Sequence, residues 1–436
     1  MSTMIELLKS IYQLKLAPVS EGINKAVEIL KKELPFTVHQ YPSLSEHNGW
    51  IVPQKWEVKK AEIRKNGELI YNGKNHPLGV IGYSQSFKGK VKLTELKKHL
   101  FYKKDRPNDI VYHCDLYYKP HQKNWGFCIP YNMYKKMKDG EYDINLQTSH
   151  ENGKMKVLDY FVQGKKDETI ILNAHNCHAG QANDDISGVV VGIELMKRLS
   201  KRKTKYSYRL IIAPEHLGTV FYLANLPKKE AKNLKFCIFL EMLGNDNRFA
   251  LQLSFTGESL LDKAACNYLS IKHPNFFCDK FRKIVGNDET VWEAPGFEIP
   301  TISLSRWPYP EYHTDKDNED IISEKRLEEA VEAVLGILNI LETNCFVKRR
   351  FDGLLALSNP KYNLYIRPGT DPSIKQKTPK NQKKWNYLMD CLPRYFDGKT
   401  SILDIAIKHA LPYDEVYEYI NRFKEKGLVE HISERV

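Results

Sequence analysis

Glu168–Leu199 reads ETIILNAHNCHAGQANDDISGVVVGIELMKRL. Its first segment, ETIILNA, is a continuous apolar run rather than an alternating one, and it stops at His175. A short unbroken apolar run bounded by polar residues predicts a strand buried on both faces. Its last segment, GVVVGIELMKRL, carries apolar residues on one helical face and predicts a helix. Between them lie His175, His178, Asp184 and Asp185, set among small residues. A buried strand, a loop dense in metal-competent side chains and a helix together define the first unit of an α/β sheet.

The same rhythm repeats downstream. YRLIIA (208–213), KFCIFL (235–240) and PTISLS (300–305) are further apolar runs. Strands alternating with helices predict an α/β sheet flanked by helices on both faces. We assign this layer to residues 140–350. Upstream, MSTMIELLKSIYQLKLAPVSEG and EGINKAVEILKKEL both have helical spacing. Residues 1–47 are therefore expected to complete the α/β domain, making it discontinuous. Between the two parts, WIVPQKWEVKKAEIRKNGELIYNG alternates apolar and polar residues around Asn66-Gly67, which predicts a β-hairpin. Residues 48–139 are read as an inserted, small β-rich domain, rich in tyrosine.

The remainder, 351–436, is separate in texture. Pro372 to Lys384 is rich in proline and lysine and reads as a linker or exposed loop. TSILDIAIKHALPYDEVYEYINRFKEKGLVEHI then predicts a helix, a turn at Leu411-Pro412, a second helix stopped at Gly427 and a strand. Val416, Ile420 and Phe423 share one face of the second helix. This is the order of a winged helix.

A length of 436 residues argues for two or three domains. No stretch is apolar and long enough to span a bilayer, and the amino-terminal segment lacks the apolar core of a signal peptide, so a cytoplasmic protein without membrane association is expected. The eight cysteines are scattered with no C-x-x-C, which suits free thiols. The net charge of +12 could attract nucleic acid, anionic lipid or an acidic substrate, although a solvated basic surface accounts for it equally simply.

The chemistry gathers where the apolar runs stop. His175 follows the first, Glu215 the second, Glu241 the third, and His313 follows the fourth through SRWPYPEY. Ligands bind beyond the carboxyl ends of strands in an open α/β sheet. These residues should therefore converge on one edge, joined by Asp184 and Asp185. Histidines with carboxylates suit zinc, with cobalt and manganese as lesser options. A metal-polarised water beside a glutamate implies amide hydrolysis. Taken singly, each residue has a plainer reading: Asp184 could cap the following helix, and Glu215 and Glu241 could be exposed. Arg306, Tyr309 and Tyr312 flank His313 and are candidates for substrate binding; Arg306 could equally pair with a neighbouring acid.

The segments AHNCH, ANDDISG, APEHLGT, FLEMLGND, GNDET and EYHTDKDNED resemble, in order, the motifs of the co-catalytic zinc aminopeptidases of peptidase clan MH, which also holds the glutaminyl cyclases. The full layout is similar to a narrower bacterial group. Its members have an aminopeptidase-like domain, an inserted β-rich domain and a C-terminal winged helix, and often occur near polysaccharide-biosynthesis functions. The resemblance implies a mixed sheet flanked by helices. It implies that His175 and Glu241 hold one metal, that Asp184 bridges, and that His313 holds the other. Asp288 stands in the place of an S-D segment near the pocket.

Two departures matter. The clan has two consecutive glutamates, a base and a ligand, after the second strand; here only Glu215 is present, between Pro214 and His216, so it is either the catalytic base or a ligand. The aspartate expected two residues after the first histidine is Cys177, followed by His178, which could be an extra ligand, a partner of one, or structural. One or two zinc ions fit. The expected substrate is a peptide or small amide, possibly a sugar or sugar-nucleotide amide. Homo-oligomerisation is open. Asp414, Glu415 and Glu418 at the start of the second C-terminal helix oppose phosphate and make nucleic acid an unfavoured partner. Two alternatives stand beside the hydrolase: a degenerate hydrolase acting as a scaffold, and a DNA-binding regulator with a ligand-sensing domain.

Overall fold

The computed structural model describes residues 2–366 and 379–433, with backbone only for 379–382. The chain divides into two compact units, residues 1–255 with 278–331, and residues 256–277 with 332–436.

The first unit is built on an eight-stranded mixed sheet. Its order is Thr37–Pro42, Lys154–Val162, Ser207–Ala213, Thr169–His175, Leu234–Leu240, Thr301–Ser305, Ala250–Gln252 and Phe277–Asp279. The predicted apolar runs form its parallel centre: Thr169–His175 pairs in parallel with Ser207–Ala213 and Leu234–Leu240, and the latter with Thr301–Ser305. Thr169–His175 and Ser207–Ala213 are buried along their whole length. This explains their largely apolar composition, because a central strand has no solvent face; the buried exceptions are paired, Asn173 with the Trp292 indole and Arg209 with Tyr222 and Glu230.

Successive side chains on a strand point to opposite faces. Leu210 and Leu240 face the helix Ser187–Leu199. A Cβ added to Gly192 of that helix would lie 2.8 Å from a Leu210 methyl and 3.5 Å from one of Leu240. Ile171, Ile211, Ala213 and Cys237 pack instead with Phe221, Tyr222 and Trp292 from the helices Leu217–Asn225 and Glu289–Trp292. The two faces are thus covered by different helices, as the alternating pattern predicts. At the other end of the chain, Thr3 caps the helix Met4–Tyr12 with a reciprocal Glu6 contact, and Ser20 caps Glu21–Glu33.

The inserted region leaves from Thr37–Pro42 and returns at Lys154–Val162, two antiparallel neighbours. Its four-stranded antiparallel sheet runs Glu68–Asn72, Lys55–Lys65, Glu141–Glu151, Phe87–Lys92. Asn66 and Gly67 both have positive φ, 49° and 84°, the turn that a two-residue hairpin requires. The sheet has its own core of Ala61, Ile63, Leu96, Phe127, Ile144 and Leu146. Glu141–Glu151 forms its ladder with Lys55–Lys65 and Phe87–Lys92, so the inserted sheet extends to Glu151.

The second unit holds the helix Leu260–Lys272, the later turns of Glu324–Thr343, and a three-stranded sheet ordered Asp397–Ser401, Phe346–Arg349, Val429–Ile432. Its helices are Pro379–Tyr395, Ile402–His409 and Tyr413–Glu425. Val416, Ile420 and Phe423 are fully buried on one face, and Gly427 has a φ of 71°. Residues 256–277 and 332–350 cluster with the carboxyl-terminal part. Of the linker expected over Pro372 to Lys384, residues 372–378 lie outside the described residues; from Pro379 the chain is helical. All eight cysteines are free thiols.

Candidate metal centre

The parallel central strands end together, so His175, Glu215, Glu241 and the residues after Ser305 share one sheet edge. Asp185 braces this edge. Its Oδ1 accepts the backbone N–H of Met242 at 2.9 Å and of Gly188 at 3.2 Å, and its Oδ2 lies 3.4 Å from the N–H of His175. One buried carboxylate thereby ties the ends of two strands to the start of a helix. Burial, then the charges of Asp184 and Glu241, push its carboxyl well above the ordinary range. Gly188 is required there, because an added Cβ would fall 2.1 Å from the Leu240 carbonyl.

Asp184 points the other way, into a group of imidazoles. Its Oδ1 is 3.6 Å from His175 Nε2; its Oδ2 is 3.6 Å from His178 Nε2 and 3.0 Å from His313 Nε2. Burial works to raise the Asp184 carboxyl, but His178 and His313 hold it well below its usual value. Ligand atoms of His178, Asp184 and His313 all lie within 4.8 Å of one another. His178 Nε2 and Asp184 Oδ2 are buried and make no hydrogen bond within the protein. Buried polar atoms are ordinarily satisfied by hydrogen bonds; here a nitrogen and a carboxylate oxygen 3.6 Å apart, with His313 Nε2 3.0 Å from that oxygen, are spaced to suit ligands of one zinc-like cation. Cys177 Sγ sits behind the rings, 3.6 Å from His175 Nδ1 and 3.2 Å from His178 Nδ1.

Glu241 is reached differently. Asn287 Nδ2 lies 3.3 Å from His175 Nε2 and 3.2 Å from Glu241 Oε2, so an amide stands between the two side chains expected to share an ion. Ser303 also donates to Glu241, and burial together with nearby Glu289 pushes its carboxyl well above the ordinary range. Glu215 lines a pocket with His178, Cys177 and Tyr112. Burial opposes its ionisation, but the adjacent His216 and then His175 bring its carboxyl down to about 2. Asp288 stands off the metal cluster. It accepts hydrogen bonds from the His216 N–H and the Thr219 hydroxyl, fixing the start of the helix that follows Glu215.

Two of the substrate-binding expectations are corrected. Arg306 is 2% exposed, and its guanidinium donates to the carbonyls of Leu243 and Asn247 and to Glu329 at 2.9 Å, over the ring of Phe249. It pairs with an acid, the alternative reading, and is buried against the scaffold. The Tyr309 hydroxyl donates to Asp317 at 2.6 Å and is equally committed. Tyr312 stacks on His313 with ring centres 3.8 Å apart.

Three contributors were absent from the sequence-based set. Asp317 takes the N–H groups of Asn183 and Asp184, and it closes the H-T-x-x-D motif in which only the histidine was assigned. Asn287 directly precedes the assigned Asp288. Tyr112, from the inserted region, stacks on His178 with no motif to mark it.

The architecture is that of the zinc aminopeptidases. The zinc aminopeptidase of Bacillus subtilis superposes with a TM-score of 0.56 at 14% identity, over 78% of this chain and 94% of that one. A peptidase M28 precursor from Shewanella amazonensis gives 0.56 at 16% identity, over 78% and 92%. Within that class, a family model described as a domain of unknown function, DUF4910, matches residues 5–344, and the chain belongs to this family. A Clostridium acetobutylicum structure provisionally described as a peptidase matches with a TM-score of 0.81 at 25% identity, over 98% of this chain and 96% of that one. A C. acetobutylicum protein provisionally named a polysaccharide biosynthesis protein with an aminopeptidase-like domain is 28% identical over 94% of this chain and 92% of its own length. Among the described residues no helix is long and apolar enough to cross a membrane.

Proposed function

We propose that the protein is a zinc-dependent hydrolase of amide bonds, aminopeptidase-like, acting on a peptide or small amide. The observation that carries this reading is the pair of unsatisfied buried atoms, His178 Nε2 and Asp184 Oδ2, 3.6 Å apart with His313 Nε2 beside them. His178, Asp184 and His313 would hold the ion, and three protein ligands leave a position for water or substrate, the arrangement of catalytic zinc. Bound zinc supplies a Lewis acid and an acidified water. Glu215 is held ionised in the adjoining pocket and serves as the base that takes a proton and delivers it to the leaving amine. Tyr112, Tyr117, Tyr118 and Trp56 line that pocket and exclude solvent around the substrate. His175 and Glu241 are engaged by Asn287, which favours one ion over two. The name of the C. acetobutylicum relative adds sugar-linked amides to the substrates worth testing.

The three helices and three strands at the carboxyl terminus support a winged-helix reading. Asp414 and Glu415 in the first turn of Tyr413–Glu425 carry the wrong sign for phosphate, which favours a packing role over DNA binding.

Elemental analysis of purified wild type beside His178→Ala, Asp184→Asn, His313→Ala and His175→Ala tests the assignment, with hydrolysis of aminoacyl p-nitroanilides followed in parallel. About one zinc per wild-type chain, lost with activity in the first three variants, is expected. Negligible metal in every sample would refute the zinc mechanism.

A further inference from the structure

The inserted β-rich region reaches the metal cluster through Tyr112. Tyr112 lies face to face with the His178 ring, centres 4.3 Å apart and planes 11° from parallel. The same tyrosine meets His313 edge-on, at 5.1 Å and 85°. The two imidazoles are themselves 5.7 Å apart at 84°. A single flat side chain is therefore wedged so that one imidazole is parallel to it and the other perpendicular, with both Nε2 atoms turned to Asp184 Oδ2.

The backbone repeats the connection. The Tyr112 N–H donates to the His313 carbonyl at 2.9 Å, the Asp315 N–H donates to the Ile110 carbonyl at 2.9 Å, and the Ile110 N–H donates to Asp315 Oδ1 at 2.9 Å. Val111 and Thr314 form an antiparallel bridge. Lys103 Nζ adds a bond to the Tyr312 carbonyl at 3.0 Å. This short ladder grips the segment that carries His313, whose φ of 56° is one that a residue with a Cβ seldom adopts. A backbone held in such a conformation needs surrounding contacts to maintain it.

We infer that Tyr112 is a positioning residue for the metal centre, and that the inserted region is a structural part of that centre rather than an appendage to it. The inference rests on the reading of His178, Asp184 and His313 as ligands. Tyr112 restricts the rotamers of two ligands at once, so its removal should weaken the ion's binding without removing any ligand. Loss of groups that orient ligands typically costs about 10–100-fold in metal affinity.

The test is a titration of the metal-stripped full chain with cobalt, followed by its visible absorption, which reports ligand geometry independently of turnover. Tyr112→Ala should bind about 10–100-fold more weakly with an altered spectrum. Tyr112→Phe keeps the flat face and should match wild type in both. Tyr102→Ala, in a tyrosine stack with Tyr131 and Tyr134 on the same inserted region, should also match wild type. If Tyr112→Ala does not fold, Tyr112→Leu, which keeps bulk without a flat ring, takes its place with the same expectation. Wild-type affinity and spectrum in Tyr112→Ala or its substitute would overturn the inference while leaving the metal reading intact. Equal loss in Tyr112→Phe or Tyr102→Ala would also overturn it, since the face of the ring would then not be what matters. A wild type that takes up no cobalt would instead refute the metal reading on which it rests.

Discussion

The backbone N–H of Asp184 donates to Asp317 Oδ2 at 3.2 Å, and the N–H of the preceding Asn183 donates to Asp317 Oδ1 at 2.6 Å. Asp317 thus fixes the peptide from which Asp184, the central ligand of the proposed site, projects. Tyr309 holds Asp317 in turn. Asp317→Ala is expected to lower zinc affinity by about 10–100-fold while the circular dichroism of the folded chain is retained. Competition with a chromogenic chelator measures this; unchanged affinity would rule out the orienting role.

Asn287 predicts stoichiometry. Its amide occupies the space between His175 Nε2 and Glu241 Oε2. Asn287→Ala should vacate that space and leave an imidazole and a carboxylate facing each other. Calorimetric titration is expected to move from about one zinc per chain to about two, the second ion bridged by Asp184. A variant that still binds a single ion would show that His175 and Glu241 are not a latent second site.

Gly188 tests the packing behind the metal loop. An added Cβ would meet the Leu240 carbonyl at 2.1 Å and both Asp185 carboxylate oxygens at 2.7 Å, all parts of the frame and none free to swing aside. Gly188→Ala should cost about 1–3 kcal/mol or more, the range for overpacking in a filled core. Urea denaturation of the metal-free protein reads it. A loss under 0.5 kcal/mol, the surface range, would mean the strand end yields readily.

Asp288 predicts a pH dependence. Burial raises its carboxyl to about 6 in the fold, against the partial opposition of His216 and Thr219. The folded chain then binds a proton over a range in which the unfolded chain has released it. Stability contributed by the protonated form is present below the unfolded value near 4 and is lost as pH rises through about 6. Asp288→Asn should flatten the stability curve of the metal-free protein between about pH 4 and 6. A slope identical to wild type over that window would contradict the assignment.

What could be read in advance followed physical range. ETIILNA, YRLIIA and KFCIFL announced themselves because a strand buried on both faces must be mostly apolar, a property each segment carries alone. Asn66-Gly67 was equally local, a turn that demands positive φ at both positions. The pairing of Glu141–Glu151 was not legible although its alternation is plain, because alternation specifies a strand but not its partners, and these lie far away in sequence. Among the site residues, His178, Asp184 and His313 were visible as metal-competent chemistry next to strand ends. Asn287 and Tyr112 act by hydrogen bonding or stacking on distant residues, which no spacing encodes; Asp317 was marked by the H-T-x-x-D spacing, but its hold on the Asn183 and Asp184 N–H groups lies far away in sequence. Arg306 shows the converse error. Its position beside the motif suggested a ligand contact, and only its burial and three committed partners assign it to the scaffold.

Pro42 and Lys154 stand directly opposite each other in the ladder, and the Ser43 N–H closes the neck on the Gly153 carbonyl at 2.9 Å. Everything between them is therefore a cassette hung from the mouth of a hairpin, and excision would ask the sheet to make only a short turn. Such a trimmed chain would keep every residue we assign as a ligand, yet forfeit the tyrosine that squares two of them to each other and the buried Val52, Ile81, Val111 and Tyr117 that pack with the main sheet.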